Sequence, residues 1–244
     1  QIPTSLIIDA DGDNYVDNVC FIIRGNAEGW SDLLWAHRWV LYTYYVTIHG
    51  KRVYDYTFQP ENQSGTYTLS HEMFHTLGAP DLYRYTTSGY TPVGPWDLMA
   101  SNLVHMGAYM KWKYANGNWI SSIPVISEPG VYTLNPLASS TNNAYRINSP
   151  NSTNQFYLVE YRRKTGAYEA NVPQTGLLVY RINTTAGNGN ASGPPDEVYI
   201  YRPGGTTTLD GNINTAAYSA TLGRTSITDE TSPSGFLSNG AFGG

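Results

Sequence analysis

His71-Glu72-Met73-Phe74-His75-Thr76-Leu77-Gly78-Ala79-Pro80-Asp81 decides the reading of this chain. Residues four apart on a helix lie one above the other on one face, so His71 and His75 can turn ring nitrogens toward a single metal ion. Glu72, one step round the helix, stands where a general base would deprotonate the water that such a metal activates. A helix that stops and turns back toward its own histidines needs a residue tolerant of positive φ, and Gly78 is that residue. Pro80 cannot extend the helix. The carboxylate of Asp81 can then come round as a third ligand and leave a fourth position open, as catalytic zinc requires. Met99, in Gly94-Pro95-Trp96-Asp97-Leu98-Met99-Ala100, follows a Gly-Pro break and would lie as a soft thioether in a tight turn beneath the ligands.

The pattern from His71 to Tyr83 (His-Glu-x-x-His-x-x-Gly-x-Pro-Asp-x-Tyr), followed by Trp96-Asp97-Leu98-Met99, resembles the M6 metallopeptidases of the immune inhibitor A type, which belong with the metzincins. Most metzincins carry a third histidine; Asp81 is what the M6 pattern leads one to expect in its place. The stretches Ile8 to Val19 and Leu34 to Trp39 are similar to segments upstream of the zinc helix in that family, and Phe156 to Arg162 and Gly176 to Tyr180 to strands after it. The likeness weakens after about Asp196. It implies a zinc endopeptidase acting on protein or peptide substrates, with Glu72 as catalytic residue and His71, His75 and Asp81 as zinc ligands. It also implies that a leader and a pro-segment preceded Gln1.

A second group of acids lies nearer the start. Asp9, Asp11, Asp13 and Asp17 bring four carboxylates into one short loop, and convergence of that kind favours a hard cation, Ca2+, as a structural brace. The loop differs from an EF-hand: Gly12 is displaced from the usual glycine position, where Asn14 stands, and Cys20 occupies the place of the closing glutamate. The alternative for these acids is a solvated turn rich in side-chain to backbone bonds.

Composition sets limits rather than a function. With 244 residues the chain can bury a sizeable core. Tyrosine is abundant (21), Lys and Arg number 14 against 19 Asp and Glu, and the net charge is −5, which agrees with a secreted protein and offers no basic run for nucleic acid. Cys20, the only cysteine, cannot form an internal disulfide and is expected to be buried in Val19-Cys20-Phe21-Ile22-Ile23. No stretch is apolar enough to span a membrane. The chain is expected to be monomeric.

The fold expected is α+β. Residues 1–125 form a metzincin-like catalytic lobe of mixed sheet and zinc helix, and residues 126–244 a mainly antiparallel β-rich lobe ending in a flexible tail from 232 to 244. Strands are expected at 6–8 and 19–23, extended segments at 42–48 and 53–58, the zinc helix over 64–77 with Leu69, Met73 and Leu77 toward the core, and a further helix over 105–114. Beyond Pro124, turn clusters separate short alternating runs, the pattern of antiparallel sheet.

Other residues carry weaker readings. His37, between Trp35 and Trp39, reads as structural, and His49 beside Gly50 as a turn residue. His105 matches no ligand spacing. Glu160 interrupts an apolar strand and reads as a carboxylate paired with Arg162 or Arg163, with zinc ligation as its alternative should Asp81 not bind. Tyr83, Tyr90 and Tyr109 are candidates for stabilising an oxyanion. The competing function is a catalytically silent or latent secreted module that binds protein or glycan on a peptidase fold; the intact Glu72 speaks against it.

Overall fold

The β-branched and aromatic residues of Val19-Cys20-Phe21-Ile22-Ile23 form β1 (Val19–Ile23) in the computed structural model, which describes residues 2–25, 34–86, 89–101 and 103–244. β1 runs parallel to β5 (Asp55–Pro60), and β5 pairs on its other edge with antiparallel β2 (His37–Val40), giving the order β1-β5-β2. β3 (Val46–Ile48) and β4 (Lys51–Val53) make a separate hairpin. Its loop is His49-Gly50, both at positive φ (48° and 81°), the backbone that a two-residue hairpin turn demands.

β5 leads through a short turn of 3₁₀ helix at Glu61–Gln63 into α1 (Thr66–Thr76), which packs on β2 and β5. The helix starts two residues later than the expected 64, with Gly65 as its N-cap, and the Ser64 hydroxyl donates to the Glu61 carbonyl. The buried face of α1 differs as well: Phe74, His71 and Glu72 are buried, while Met73 and Leu77 are about half exposed. Because α1 rests on only two strands of this sheet, the stripe that it buries is narrow and centres on Phe74.

Two expectations for the first segment are corrected. Residues 6–8 form no strand; Leu6 and Ile7 are exposed, and Ile8 accepts the Asp17 N–H, which closes the acidic loop. Cys20 is exposed rather than buried, because β1 is an edge strand among the described residues and four of its five residues face outward.

By compactness the chain divides into Gln1–Gly78 and Ala79–Gly244, whereas the change in sequence character falls near Pro124. The second unit is built on a five-stranded sheet, order β10-β9-β8-β7-β6. Its long central pair, β8 (Gln155–Arg162) and β9 (Gly176–Asn183), is antiparallel, as are β7 (Ala144–Asn148) with β8 and β10 (Val198–Ile200) with β9. β6 (Val125–Ile126) runs parallel to β7. Tyr157, Tyr199, Tyr201, Tyr218, Val179 and Phe236 form the aromatic core on this sheet.

Three short helices accompany it: α2 (Leu98–Ser101), α3 (Ala108–Tyr114) and α4 (Gly166–Glu169). α3 starts later than expected because Gly107 is its N-cap. The terminal segment, expected to be a flexible tail, is docked: Phe236 and Leu237 are buried, the Tyr201 and Tyr157 hydroxyls donate to the Phe236 and Gly235 carbonyls, and the Ser149 hydroxyl donates to that of Gly243. The fold is thus mixed α+β with few helices and several sheets, and no described helix is long and apolar enough to cross a membrane.

Candidate metal centre

In the first unit, α1 places His71 and His75 one turn apart with ring centroids 4.8 Å apart and planes at 90°. A ring nitrogen of each and a Glu72 carboxylate oxygen all lie within 4.8 Å of one another. His71 and Glu72 are buried and His75 partly so. Two imidazoles and a carboxylate converging at that distance are a donor set that suits zinc.

The end of α1 is fixed by local bonds. The Leu77 N–H donates to the Phe74 carbonyl and the Gly78 N–H to that of His75, and Gly78 takes φ 88°, the conformation expected of it. Thr76, in the last turn, donates to Asp55 Oδ1 at 3.1 Å and accepts from the Asn18 amide at 2.9 Å. Asp55 is held in turn by Arg38 of β2. The zinc helix is therefore anchored at its histidine end to the strand that precedes it.

In the second unit, Asp81 is buried and its Oδ2 accepts a 2.5 Å hydrogen bond from the Tyr85 hydroxyl. The Asp81 carbonyl accepts the Asn190 N–H, and the Asn190 side chain donates to the carbonyls of Leu82 and Val198. Arg84 forms a two-pronged pair with Asp196, both contacts at 2.7 Å. Leu82 N–H donates to the Met99 carbonyl, which ties the Asp81 segment to the turn around Met99.

Met99 is fully buried in that turn. Gly94 at φ 56° and Pro95 open it, and Asp97 holds it, Oδ1 accepting the Met99 N–H at 2.8 Å and Oδ2 the Gly107 N–H at 2.7 Å. Burial pushes the Asp97 carboxyl up to about 6, although both backbone bonds oppose it. Below the turn lies a buried ionic group centred on Arg162. Its guanidinium donates to Glu160, to both oxygens of Glu169, and to the Trp96 and His105 carbonyls. His105 Nε2 meets Glu169 Oε1 at 2.9 Å.

Glu160 also accepts from the Ala108 N–H and the Tyr180 hydroxyl, both at 2.7 Å. It is the paired inward carboxylate that its setting in an apolar strand foretold, fully buried among these partners. Of the oxyanion candidates, Tyr90 donates to the Thr206 carbonyl and Tyr109 to Glu197, while Tyr83 is partly exposed. His37 has its Nδ1 2.7 Å from the Trp35 carbonyl and stacks on Phe58, a structural role.

In the acidic loop, carboxylate oxygens of Asp9, Asp11 and Asp17 come within 4.8 Å of one another. Asp13 is not part of that cluster; its Oδ1 accepts the Tyr15 N–H at 2.8 Å. Four converging acids are thus corrected to three, one having been drawn into a side-chain turn. Lys51 Nζ stands 2.7 Å from Asp9 and 2.9 Å from Asn14 Oδ1, and Asn14 takes φ 71°.

Tyr85 and Asp97 escaped the sequence reading as supporting residues, whereas Arg162 is the partner of Glu160 that it named. Asp97 had a usable signal, an Asp two residues before a helical N–H; Tyr85, four residues past Asp81, had none that singles it out. Residues 23–109 match the family described as immune inhibitor A peptidase M6, catalytic domain. No curated protein matches the chain.

Proposed function

Residues 23–109 match the M6 peptidase catalytic domain, and on that footing we propose that the chain is a secreted zinc-dependent endopeptidase of that family with a metzincin-like catalytic lobe. The observation that carries this reading is the convergence of His71, Glu72 and His75 inside the matched segment. His71 and His75 would hold the zinc with Asp81 as third ligand, Tyr85 orienting the Asp81 carboxylate. Zinc, when bound, supplies Lewis acidity that polarises the scissile carbonyl and acidifies water.

Glu72 removes a proton from the attacking water and returns it to the departing amine, two tasks that one carboxylate performs in succession. Asp9, Asp11 and Asp17 would bind calcium as a brace for the segment that leads into β1, with no part in the chemistry. Met99, buried in its turn, would be the structural methionine of the Met-turn. The substrate is protein or peptide in extended form.

The test is zinc content measured alongside casein cleavage, for the chain and for Glu72→Ala. About one zinc per chain in both, with chelator-sensitive cleavage by the parent alone and a rate lower by about 10²–10⁴ in the variant, is the expected result. Absence of zinc from both sinks the assignment of the site; zinc without cleavage sinks the peptidase reading.

A further inference from the structure

The acidic loop closes on itself at Asp17. The Asp17 N–H donates to the Ile8 carbonyl at 2.9 Å, and its two carboxylate oxygens accept the Ala10 N–H at 3.2 and 3.1 Å. The next residue, Asn18, is half-buried and directs its side chain to two other elements. Its amide donates to the Thr76 hydroxyl of α1 at 2.9 Å and to Asp55 Oδ1 of β5 at 3.4 Å, while its Oδ1 accepts the Thr57 hydroxyl at 3.4 Å. Closure of the loop and the last turn of α1 are thus joined through two consecutive residues.

Thr76 directly follows His75 in that turn. A helical threonine hydroxyl can donate to the carbonyl one turn back. Here it donates instead to Asp55 Oδ1, at 3.1 Å, and Asp55 is held by Arg38. The hydroxyl therefore accepts from one neighbour and donates to another, which fixes its direction. A metal ligand has to be held to within about half an ångström of its working position, and the position of His75 is set by this turn.

Beside these bonds the loop and the helix stand apart. A cavity of about 750 Å3 is lined by Asp11, Asp13 and Asp17 of the loop and by Asp55, Thr76 and Leu77. Close-packed side chains would carry a displacement of the loop directly to the helix. Across a cavity that route is open, and the hydrogen bonds of Asn18 supply the connection.

We propose that the acidic loop and the zinc ligand His75 are coupled through Asn18 and Thr76, which makes Asn18 a positioning residue for the zinc site. The inference rests on the reading of His71 and His75 as zinc ligands and needs no cation in the loop. When the loop loosens, Asn18 shifts, the Thr76 hydroxyl loses one of the two bonds that orient it, and the last turn of α1 loosens too. Simple anchoring of the helix would alter stability alone, whereas coupling alters zinc affinity.

The experiment measures zinc affinity of the full chain by competition with a chelator, without added calcium, together with the visible spectrum of the Co2+-substituted protein and urea denaturation. Thr76→Val keeps the volume of the side chain and removes its hydroxyl; Thr76→Ser keeps the hydroxyl. Zinc affinity about tenfold weaker in Thr76→Val and in Asn18→Ala, with altered Co2+ bands, and close to the parent in Thr76→Ser is the expected result. Asp17→Ala, which removes the carboxylate that closes the exposed loop, should weaken zinc about threefold in the parent and not further in the Asn18→Ala background. The proposal is overturned if Thr76→Val and Asn18→Ala lower the urea midpoint yet leave zinc affinity and the Co2+ spectrum unchanged. It is equally overturned if Asp17→Ala has no effect on zinc, or has the same effect with and without Asn18. A parent that takes up no zinc overturns the zinc reading itself and this inference with it.

Discussion

The Tyr85 hydroxyl donates a 2.5 Å hydrogen bond to Oδ2 of Asp81, although the rest of the tyrosine is mostly exposed. A ring held at the surface with only its tip committed to a buried carboxylate fixes the direction of that carboxylate. Groups in this position govern metal affinity without touching the metal. Tyr85→Phe should therefore weaken zinc binding about tenfold or more, measured by competition with a chelator of known affinity, while stability to urea changes little. Unaltered zinc affinity would remove Asp81 from the ligand set.

Gly189 should be irreplaceable for a different reason. It sits at φ 63°, and a Cβ on it would come within 2.4 Å of the Asp81 carbonyl oxygen and 2.6 Å of Pro80 Cγ. Strain and backbone displacement together predict that Gly189→Ala costs about 2–3 kcal/mol, read from urea denaturation. Because the displaced backbone is that of Asp81, zinc retention should fall in the same variant.

Calcium should stabilise the chain by mass action on the cluster of Asp9, Asp11 and Asp17. At about a hundredfold excess over the dissociation constant the gain is about 2.7 kcal/mol. The thermal midpoint should rise with calcium in the parent and not in Asp17→Asn. Asp13→Asn should keep most of the response, since Asp13 is engaged with Tyr15 rather than with the other three.

Acid should unfold the second unit through Glu169. Burial raises its carboxyl, but the hydrogen bonds from His105 and Arg162 outweigh that and hold it down at about 2, against 4.5 for a free glutamate. A depressed carboxyl contributes stability above the unfolded value and loses it as pH falls, so the window is from about 4.5 down to about 2, and at most about 3 kcal/mol is involved. Asp97, pushed up to about 6, acts in the opposite sense and in a higher window, gaining stability as pH falls from about 6 toward 4. Urea midpoints between pH 2 and 5 should fall steeply in the parent. Glu169→Gln should begin lower and show a flatter acid limb; an equally steep one would place the acid sensitivity elsewhere.

The zinc helix and its histidines were readable because spacing alone sets which side chains share a helical face, and the positive φ of Gly78 follows from what a chain must do to turn back. The five-stranded sheet was readable from turn residues between alternating runs. Which face of α1 is buried was not: Leu69, Met73 and Leu77 satisfy the apolar pattern as well as Phe74 does, and the choice belongs to the strands that the helix meets. Cys20 was misread because an apolar run does not say whether its strand is central or at an edge. Tyr85, and the bonds of Arg162 beyond Glu160, were invisible for a related reason, since the partners Asp81, Glu169 and the Trp96 carbonyl are defined by the fold rather than by spacing.

The turn around Met99 lies inside the segment that the family description covers, yet much of what holds it comes from outside. Arg162 reaches the Trp96 and His105 carbonyls, Glu160 receives the Ala108 N–H, and the Trp96 indole donates to the Ile213 carbonyl. The segment 23–109 that matches the family and the unit that folds are therefore different objects. A chain ended at 125 would keep the whole matched segment while stranding the Trp96 carbonyl and the start of α3 without their buried counterparts. The segments beyond residue 109, outside the matched segment, hold this turn through an arginine, two glutamates and a carbonyl at those places.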